Sequence, residues 1–379
     1  MRPLDILFLI LGLLVLFVAL AVVVLILTYV ERKFLGRLQR RIGPQRTGPM
    51  GLMQPIADAL KLILKEDMIP SWADRAVFWV APLVVFVPAF AIWFAIPGGQ
   101  DLVIYKIPEA TNFFELGLFY IIAFSTLSIV GLVMAGWGAG SKYATLGGLR
   151  SAAQLISYEI PVIMAAVGVA MLAQSVSLED IANAQAPGSA SGTAVWPHVP
   201  FIIVAPLALF IFLLASLAEA GRTPFDIYTA ESEVVGGPFV EYSGAHWAVF
   251  YLVEYMNTFA VAALVTLLFL GAWHGPWLPG WLWFLIKASF MVLVVFWIRG
   301  TFPRLRVDQL MAFSWKVLIP LSFVNIILTA VYLFYGWPTW SMTLMSLAVL
   351  LTAGYFLYRN VTAPALRAGA QAFQRAGDR

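Results

Sequence analysis

The chain of 379 residues is 61% hydrophobic and 11% charged, whereas an ordinary soluble domain is roughly 45–50% apolar and about 25% charged, so water is excluded as its main solvent. It contains no cysteine, which excludes disulfides, thiolate metal sites and cysteine-ligated iron–sulfur clusters, and its three histidines do not suit a haem bundle with paired axial ligands. The formal charge of +3 indicates little, because in a membrane protein the placement of lysine and arginine matters more than their sum.

Nine stretches of the chain are long and apolar enough to cross a bilayer core, which needs about 20 mostly apolar residues per helix. In chain order they are 4–30, 76–97, 114–138, 151–174, 200–218, 245–272, 281–299, 317–336 and 339–358. The first ends in Glu31, Arg32 and Lys33 rather than at a small-residue cleavage site, which predicts a retained helix and not a signal peptide. The sequence thus predicts an all-α polytopic membrane helix bundle over 1–379. Helix 1 lies in 1–30, helices 2–4 in 76–174, helices 5–7 in 200–299 and helices 8–9 in 317–358.

Residues 49–67 follow a different pattern from the spans. Apolar side chains recur there at helical spacing, namely Met50, Met53, Ile56, Leu60, Ile63 and Leu64. Charged side chains interrupt them, namely Asp58, Lys61, Lys65 and Glu66. This pattern predicts an amphipathic helix at the cytoplasmic surface of the membrane. The pattern leaves two roles open, a membrane-surface anchor and a wall of a site.

Basic residues alternate between successive connections and predict the orientation of the bundle. The segment that follows helix 1 is rich in lysine and arginine, whereas loop 98–113 holds only Lys106, and loops 175–199 and 273–280 hold neither residue. The positive-inside rule therefore predicts an N-terminus outside and a C-terminus in the cytoplasm.

Carboxylates are concentrated in loop 219–244 and in two of the spans. The loop carries Glu219, Asp226, Glu231, Glu233 and Glu241, and the spans carry Glu159 and Glu254. An ionisable group at the centre of a membrane helix costs at least ~2.5 kcal/mol on insertion scales, so such groups usually pair and mark an ion path. The cluster predicts a proton relay, and the alternative for the loop is a solvated acidic surface. The glycines of the loop's GGP run fit either a hinge or close packing.

Arginines gather on the same predicted cytoplasmic side, namely Arg32, Arg41, Arg46, Arg299, Arg304 and Arg306. They fit either contact with lipid headgroups or pairing with acidic partners. The sequence contains no phosphate-binding glycine loop, hydrolytic triad or zinc motif. The chain is therefore predicted to hold no metal and no redox centre, and to carry no catalytic residues on its own.

Four sequence blocks resemble one known family. They are ERKFLGRLQRRIGPQRTGPMGLMQPIADALKLILKED, YATLGGLRSAAQLISYEIP, AEAGRTPFDIYTAESEVVGGPFVEYSG and WIRGTFPRLRVDQLMAFSWKVLIPLSF. In this order they resemble the H subunit of bacterial NADH:quinone oxidoreductase, respiratory complex I, whose mitochondrial counterpart is called subunit 1. The likeness covers about residues 20–335.

The resemblance implies roles for particular residues. Members of this family form part of a quinone chamber and its opening, and couple quinone reduction to proton translocation. Matched by motif, the residues along the chamber or its opening are Glu31, Arg32, Arg41, Asp58, Tyr251 and Arg299. The matching proton-relay residues are Glu159, Glu219, Asp226, Glu231, Glu233, Glu241 and Glu254. Their implied charge partners are Arg150 and Arg222.

The resemblance also implies what surrounds the chain. Quinone is the expected substrate, with no covalently bound cofactor in this chain and with FMN and iron–sulfur clusters only in partner subunits. The expected partners are the iron–sulfur subunit with the terminal cluster, the hydrogenase-derived large quinone-site subunit, small membrane subunits, antiporter-like subunits and membrane lipids, with no nucleic acid. The expected location is the bacterial cytoplasmic (inner) membrane.

One position departs from the family pattern. Thr229 stands where many relatives have an acidic residue, so the resemblance implies one carboxylate fewer and a rearranged relay. Two alternative functions remain at this point. One is the equivalent subunit of a ferredoxin- or hydrogenase-linked complex, and the other is a stand-alone proton-coupled transporter. A transporter usually shows internal repeats, and we find no convincing repeat here.

Overall fold

The computed structural model describes residues 3–98, 115–186, 199–229 and 231–359. Within these ranges the chain forms helices and no strands, as the sequence predicts. The helices that cross or border the bundle are α1 (Pro3–Leu38), α2 (Gln54–Leu64), α3 (Arg75–Ala91), α4 (Gly117–Gly138), α5 (Lys142–Ala173), α6 (Leu178–Ala184), α7 (Phe201–Val204), α8 (Pro206–Glu219), α9 (Glu231–Val234), α10 (Gly244–Phe269), α11 (Gly280–Thr301), α12 (Val307–Phe313), α13 (Ile319–Tyr335) and α14 (Thr339–Leu357).

Eight of the described helical segments are long and apolar enough to cross a membrane. They are Ile10–Leu38, Arg75–Phe94, Gly117–Gly138, Lys142–Ala173, Gly244–Phe269, Gly280–Thr301, Val307–Tyr335 and Trp340–Leu357. The chain is therefore a multi-pass all-α membrane protein. The end of the bundle at which α1 and α11 finish carries the arginines of the sequence pattern, and we call it the basic end. The opposite end, where α10 finishes, is called the outer end.

The fifth predicted span, 200–218, differs from a continuous helix. It consists of α7 and the 14-residue α8, separated at Ala205, whose backbone is not helical (φ −127°, ψ 62°). Pro206 explains the break, because the residue before a proline disfavours the helical conformation. The side chain of Gln185 accepts a hydrogen bond from the Phe201 backbone N–H at 3.1 Å, so the first backbone N–H of α7 is satisfied inside the protein.

Small residues let the central helices pack closely. A Cβ on Gly136 of α4 would lie 2.9 Å from the Cα of Gly148 in α5, and a Cβ on Gly131 would lie 2.8 Å from the backbone N of Val85 in α3. Such close backbone approach is a common way for membrane helices to associate. Helix α10 is buried along most of its length.

Polar contacts tie α10 to α11 at the outer end. The Lys287 ammonium donates to the carbonyls of Leu270 at 2.7 Å and of His274 at 2.8 Å, which places a cation at the C-terminal end of α10, where the helix dipole favours one. The ring Nε2 of His274 lies 3.2 Å from the Asn183 amide oxygen. These contacts fix the turn between the two helices.

Acidification should destabilise a His274→Gln variant less than the unaltered chain. Burial, with the nearby charge of Lys287, lowers the pKa of His274 below its ordinary value, so the unfolded chain binds this proton more readily. The folded state therefore loses relative stability as the pH falls through the ordinary histidine pKa of about 6.5. Melting temperatures of the purified protein at pH values of about 7.5 and about 5.5 test this, and equal losses in both proteins would contradict it.

Candidate functional site

The turn that follows α8 holds Arg222 inside the basic end. The side-chain amide of Gln154, on α5, donates to the carbonyls of Ala218 and Phe225, both at 2.8 Å, and thereby clamps both sides of the turn. Gly221 has φ +64° and packs against Tyr228, whose hydroxyl a Cβ at this position would overlap. A side chain larger than hydrogen at Gly221 is therefore incompatible with this turn.

Four charged side chains meet around this arginine, and we call them the charged junction: Glu31, Arg222, Glu254 and Arg299. Arg222 Nη1 lies 3.1 Å from Glu254 Oε1 and 3.6 Å from Glu31 Oε2. The second oxygen of Glu31 accepts a hydrogen bond from Arg299. The side chains of Arg222 and Glu31 are only 1% and 5% exposed. The side chains of Glu254 and Arg299 are 34% and 28% exposed. The junction thus balances two cations against two anions, with one ion of each sign buried.

Helix α10 supplies further contacts to Arg222. Its guanidinium lies 4.2 Å from the centroid of the Tyr255 ring, a cation–π distance, and its Nε donates to the Thr258 hydroxyl at 2.8 Å. Burial on its own would lower the pKa of Arg222, but the carboxylates of Glu254 and Glu31 outweigh burial and raise this pKa above its ordinary value. The arginine is therefore a permanent charge.

The amphipathic helix α2 lies beside the junction at the same end. Asp58 accepts a hydrogen bond from Arg32 of α1 and a second from Gln54 at 3.1 Å. The hydroxyl of Tyr251 lies 3.3 Å from that of Tyr255, which contacts Arg222. Arg41 differs from the other residues predicted along the chamber, because it is exposed and bonds to Gln39.

A cavity of about 70 Å³ lies inside the bundle, and two of its lining residues, Ala220 and Asn257, are sequence neighbours of Arg222 and Glu254. Its wall is mostly apolar, but five polar side chains line it, namely Ser125, Ser128, Ser216, Glu219 and Asn257. A space of this size holds a few water molecules when polar partners are present. On α5, the carboxyl of Glu159 accepts a hydrogen bond from the Thr126 hydroxyl of α4.

The remaining predicted relay residues lie in the loop between α8 and α10. Asp226 pairs with Arg304 at 3.3 Å and accepts a hydrogen bond from the Thr229 hydroxyl. Glu233 is exposed and pairs with Arg150 at 2.9 Å, whereas Glu241 is half-buried. The side chain of Glu231 falls outside the described part of the chain. Within the described ranges, no three His, Asp or Glu side chains converge as a metal site.

Sequence reasoning missed several polar neighbours of these charges. Tyr255 and Thr258 were not singled out, although Thr258 follows Glu254 by one helical turn and shares its face. The cluster Ser125, Thr126 and Ser128 was a second available signal, because these hydroxyls interrupt an otherwise apolar span.

Comparisons with known proteins agree with one another. A family model described as NADH dehydrogenase matches residues 11–330, a range that contains every site residue above. Over 318 residues the chain is 46% identical to the H subunit of NADH-quinone oxidoreductase from Dehalococcoides mccartyi strain CBDB1, covering 84% of this chain and 85% of that protein. Over 322 residues it is 51% identical to the H subunit of NADH-quinone oxidoreductase from Geobacillus kaustophilus strain HTA426, covering 82% of this chain and 91% of that protein.

Proposed function

The chain belongs to the family of NADH-quinone oxidoreductase H subunits, and from this membership we propose that it forms part of the quinone chamber and couples quinone reduction to proton translocation. As a member, it is a membrane subunit of complex I, an oxidoreductase complex whose other subunits are its partners and whose substrate is quinone. The proposal concerns which of its residues serve the quinone and which serve the protons.

The charged junction is the observation that carries the proposal. It joins Glu31 and Arg299, which the family resemblance assigns to the chamber, to Glu254, which it assigns to the relay, through the single guanidinium of Arg222. Because charges interact strongly where water is scarce, a change of charge on the quinone side alters the proton affinity of Glu254. A change in the redox state of the quinone in the chamber thereby changes the protonation of a carboxyl inside the bundle.

The opening of the chamber lies, in this proposal, beside α2. The Arg32–Asp58 pair joins α1 to α2, while Ile56, Leu60, Ile63 and Leu64 leave an exposed apolar face on α2. An apolar face next to a fixed ion pair suits a molecule with a lipid-soluble tail and a polar headgroup. Of the two roles the sequence left open for this helix, we favour the wall of a site.

Protons leave the junction, in this proposal, through the cavity that Glu219 lines. Asn257 on the cavity wall lies within one helical turn of Glu254 on α10, and in this proposal it connects Glu254 to the cavity. Glu159 with Thr126 continues the polar path across α4 and α5. Thr229 takes part by holding Asp226 beside Arg304, which compensates for the carboxylate that is missing at position 229.

The partners and the membrane complete the proposal. The iron–sulfur subunit with the terminal cluster and the hydrogenase-derived quinone-site subunit dock at the basic end, and the small membrane and antiporter-like subunits receive the protons. FMN and the clusters reside in partner subunits. The basic end faces the cytoplasm of a bacterial inner membrane, following the positive-inside rule.

A Glu254→Gln variant of the intact complex tests the proposal. Glutamine keeps the shape of the side chain but cannot release a proton, so NADH-driven proton pumping with quinone should fall by about tenfold or more, the order of effect seen when a positioned proton-transfer group is lost. NADH oxidation by an artificial acceptor, which bypasses the quinone, should stay within about twofold. Both rates are measured on the same membrane vesicles.

The matched control is Glu179→Gln, which makes the same change on the exposed face of α6. It should leave both rates unchanged. Normal quinone-linked pumping by the Glu254→Gln complex would exclude this carboxyl from the relay.

A further inference from the structure

The chain segment that follows α2 is hydrogen-bonded to the beginning of α10. The Ser243 hydroxyl accepts a hydrogen bond from the Met68 backbone N–H at 3.1 Å and donates to the Glu66 carbonyl at 3.4 Å. Gly244 has φ +54°, and a Cβ there would lie only 2.9 Å from the Lys65 carbonyl oxygen. The two backbones are therefore in close contact at this point.

A histidine and a carboxylate form a further contact between these two segments. His246 Nδ1 hydrogen-bonds to Asp67 Oδ2, and the two side chains are only 10% and 25% exposed. The other oxygen, Asp67 Oδ1, is buried and has no hydrogen-bond partner among the described residues. A carboxylate held in this way depends on the imidazole, because an unpaired buried charge is costly.

Aromatic rings fix the imidazole in place. Trp79 meets it edge-on at 4.3 Å between centroids, and Phe78 and Tyr242 lie at 5.9 and 6.5 Å. Phe78 and Tyr242 are themselves stacked at 4.0 Å. Three aromatic rings thus pack around the imidazole that contacts Asp67.

Helix α2 has few other anchors. Its one buried residue is Pro55, and its polar ties are the Arg32–Asp58 pair and the Thr47–Gln54 hydrogen bond at 2.6 Å, both of which act on its first half. The second half of α2 ends in Leu64, which is 83% exposed. That half is followed directly by the segment that Asp67 and Ser243 hold.

We propose that His246 is a positioning residue for the quinone reaction: through Asp67 it holds the second half of α2 in place at the opening of the quinone chamber. This inference rests on the proposed function, because it requires α2 to border the chamber. The pair acts on quinone binding and not on electron transfer or proton release. Loss of the pair makes the second half of α2 more mobile and weakens quinone binding.

Two substitutions in the intact complex test the inference. His246→Leu keeps bulk but leaves Asp67 without its partner, so the KM for a short-chain quinone should rise about tenfold, the ratio that corresponds to ~1.4 kcal/mol, while kcat changes by less than about twofold. His246→Lys gives Asp67 a hydrogen-bond donor again and should bring KM back to within about threefold of the original value. Rescue by lysine separates pairing from mere packing.

Hydrogen exchange supplies a second measurement. Amides of 54–64 in the His246→Leu complex should exchange about tenfold faster, since local opening rises with lost anchoring. The control is His274→Leu, which removes a half-buried histidine at the outer end and should change neither KM nor the exchange in 54–64. An unchanged KM or unchanged exchange in His246→Leu would overturn the inference.

Asp58→Asn distinguishes failure of the inference from failure of the proposed function. If Asp58→Asn raises the KM for quinone and His246→Leu does not, only the role of His246 is wrong. If neither variant changes KM, α2 does not border the chamber, and the proposed function fails with the inference.

Discussion

An Arg222→Met variant should lose quinone-linked NADH oxidation by at least about tenfold, because breaking a buried ion pair from one side typically costs ~3–5 kcal/mol. Methionine matches the aliphatic part of arginine but leaves Glu31 and Glu254 facing each other with only Arg299 to compensate them. The rate is measured with NADH and a short-chain quinone on membranes, next to the rate with an artificial acceptor that does not use the quinone site.

Two companion variants sharpen this result. Arg75→Met removes an arginine that is exposed at the start of α3 and should leave the quinone-linked rate unchanged. The double variant Arg222→Met with Glu254→Gln removes one charge of each sign and should assemble into the complex better than Arg222→Met alone, since the two sites are coupled. If Arg222→Met retained full quinone-linked activity, the charged junction would have no part in the reaction.

A Gly237→Ala variant should reduce the amount of this subunit in the purified complex far more than Gly336→Ala does. Both glycines have similar backbone angles, φ +64° and φ +59°, so alanine pays a similar conformational cost of roughly 1–2 kcal/mol at each. At Gly237, however, a Cβ would overlap the Tyr228 backbone carbonyl, whereas Gly336 has nothing within 4 Å. Overlap with backbone adds roughly 1–3 kcal/mol.

Subunit content after purification, together with the melting temperature of the complex, measures the difference. Equal losses in the two alanine variants would mean that the backbone angle alone matters, and that Gly237 is not held by close packing against Tyr228. The comparison also distinguishes the two roles that the sequence left open for the GGP run. A hinge with free space around it would tolerate alanine at Gly237, whereas close packing would not.

Much of the fold could be predicted from the sequence, because hydropathy depends only on the order of the residues along the chain. Long apolar runs predicted the all-α bundle, and the spacing of Ile56, Leu60 and Leu64 predicted the amphipathic α2. The fifth span was predicted as continuous because a hydropathy average counts Pro206 as one residue among many, although its effect on Ala205 is decisive.

Less of the candidate site could be predicted, because ion pairing depends on distance in space and not on distance along the chain. The sequence indicated which residues are charged and at which end of the bundle they lie. It gave no means of choosing Glu31 and Glu254 as the neighbours of Arg222. The two glutamates lie on different helices, and the arginine lies in a loop. The partnership of Asp67 with His246 was hidden for the same reason.

The break at Ala205 constrains how the bundle is built. Helix α8 has 14 residues and is about 21 Å long at the usual rise, which is shorter than the roughly 30 Å of hydrocarbon it must cross. The rest of the segment consists of the four-residue α7 and the non-helical residue Ala205, and backbone groups that a break leaves unpaired are tolerated in lipid only where protein covers them. Gln185 provides that cover from a different part of the chain, and Phe201, Val204 and Ala205 are fully enclosed. The place of this segment in the bundle therefore depends on contacts with neighbouring parts of the chain and not on the length of its own helix.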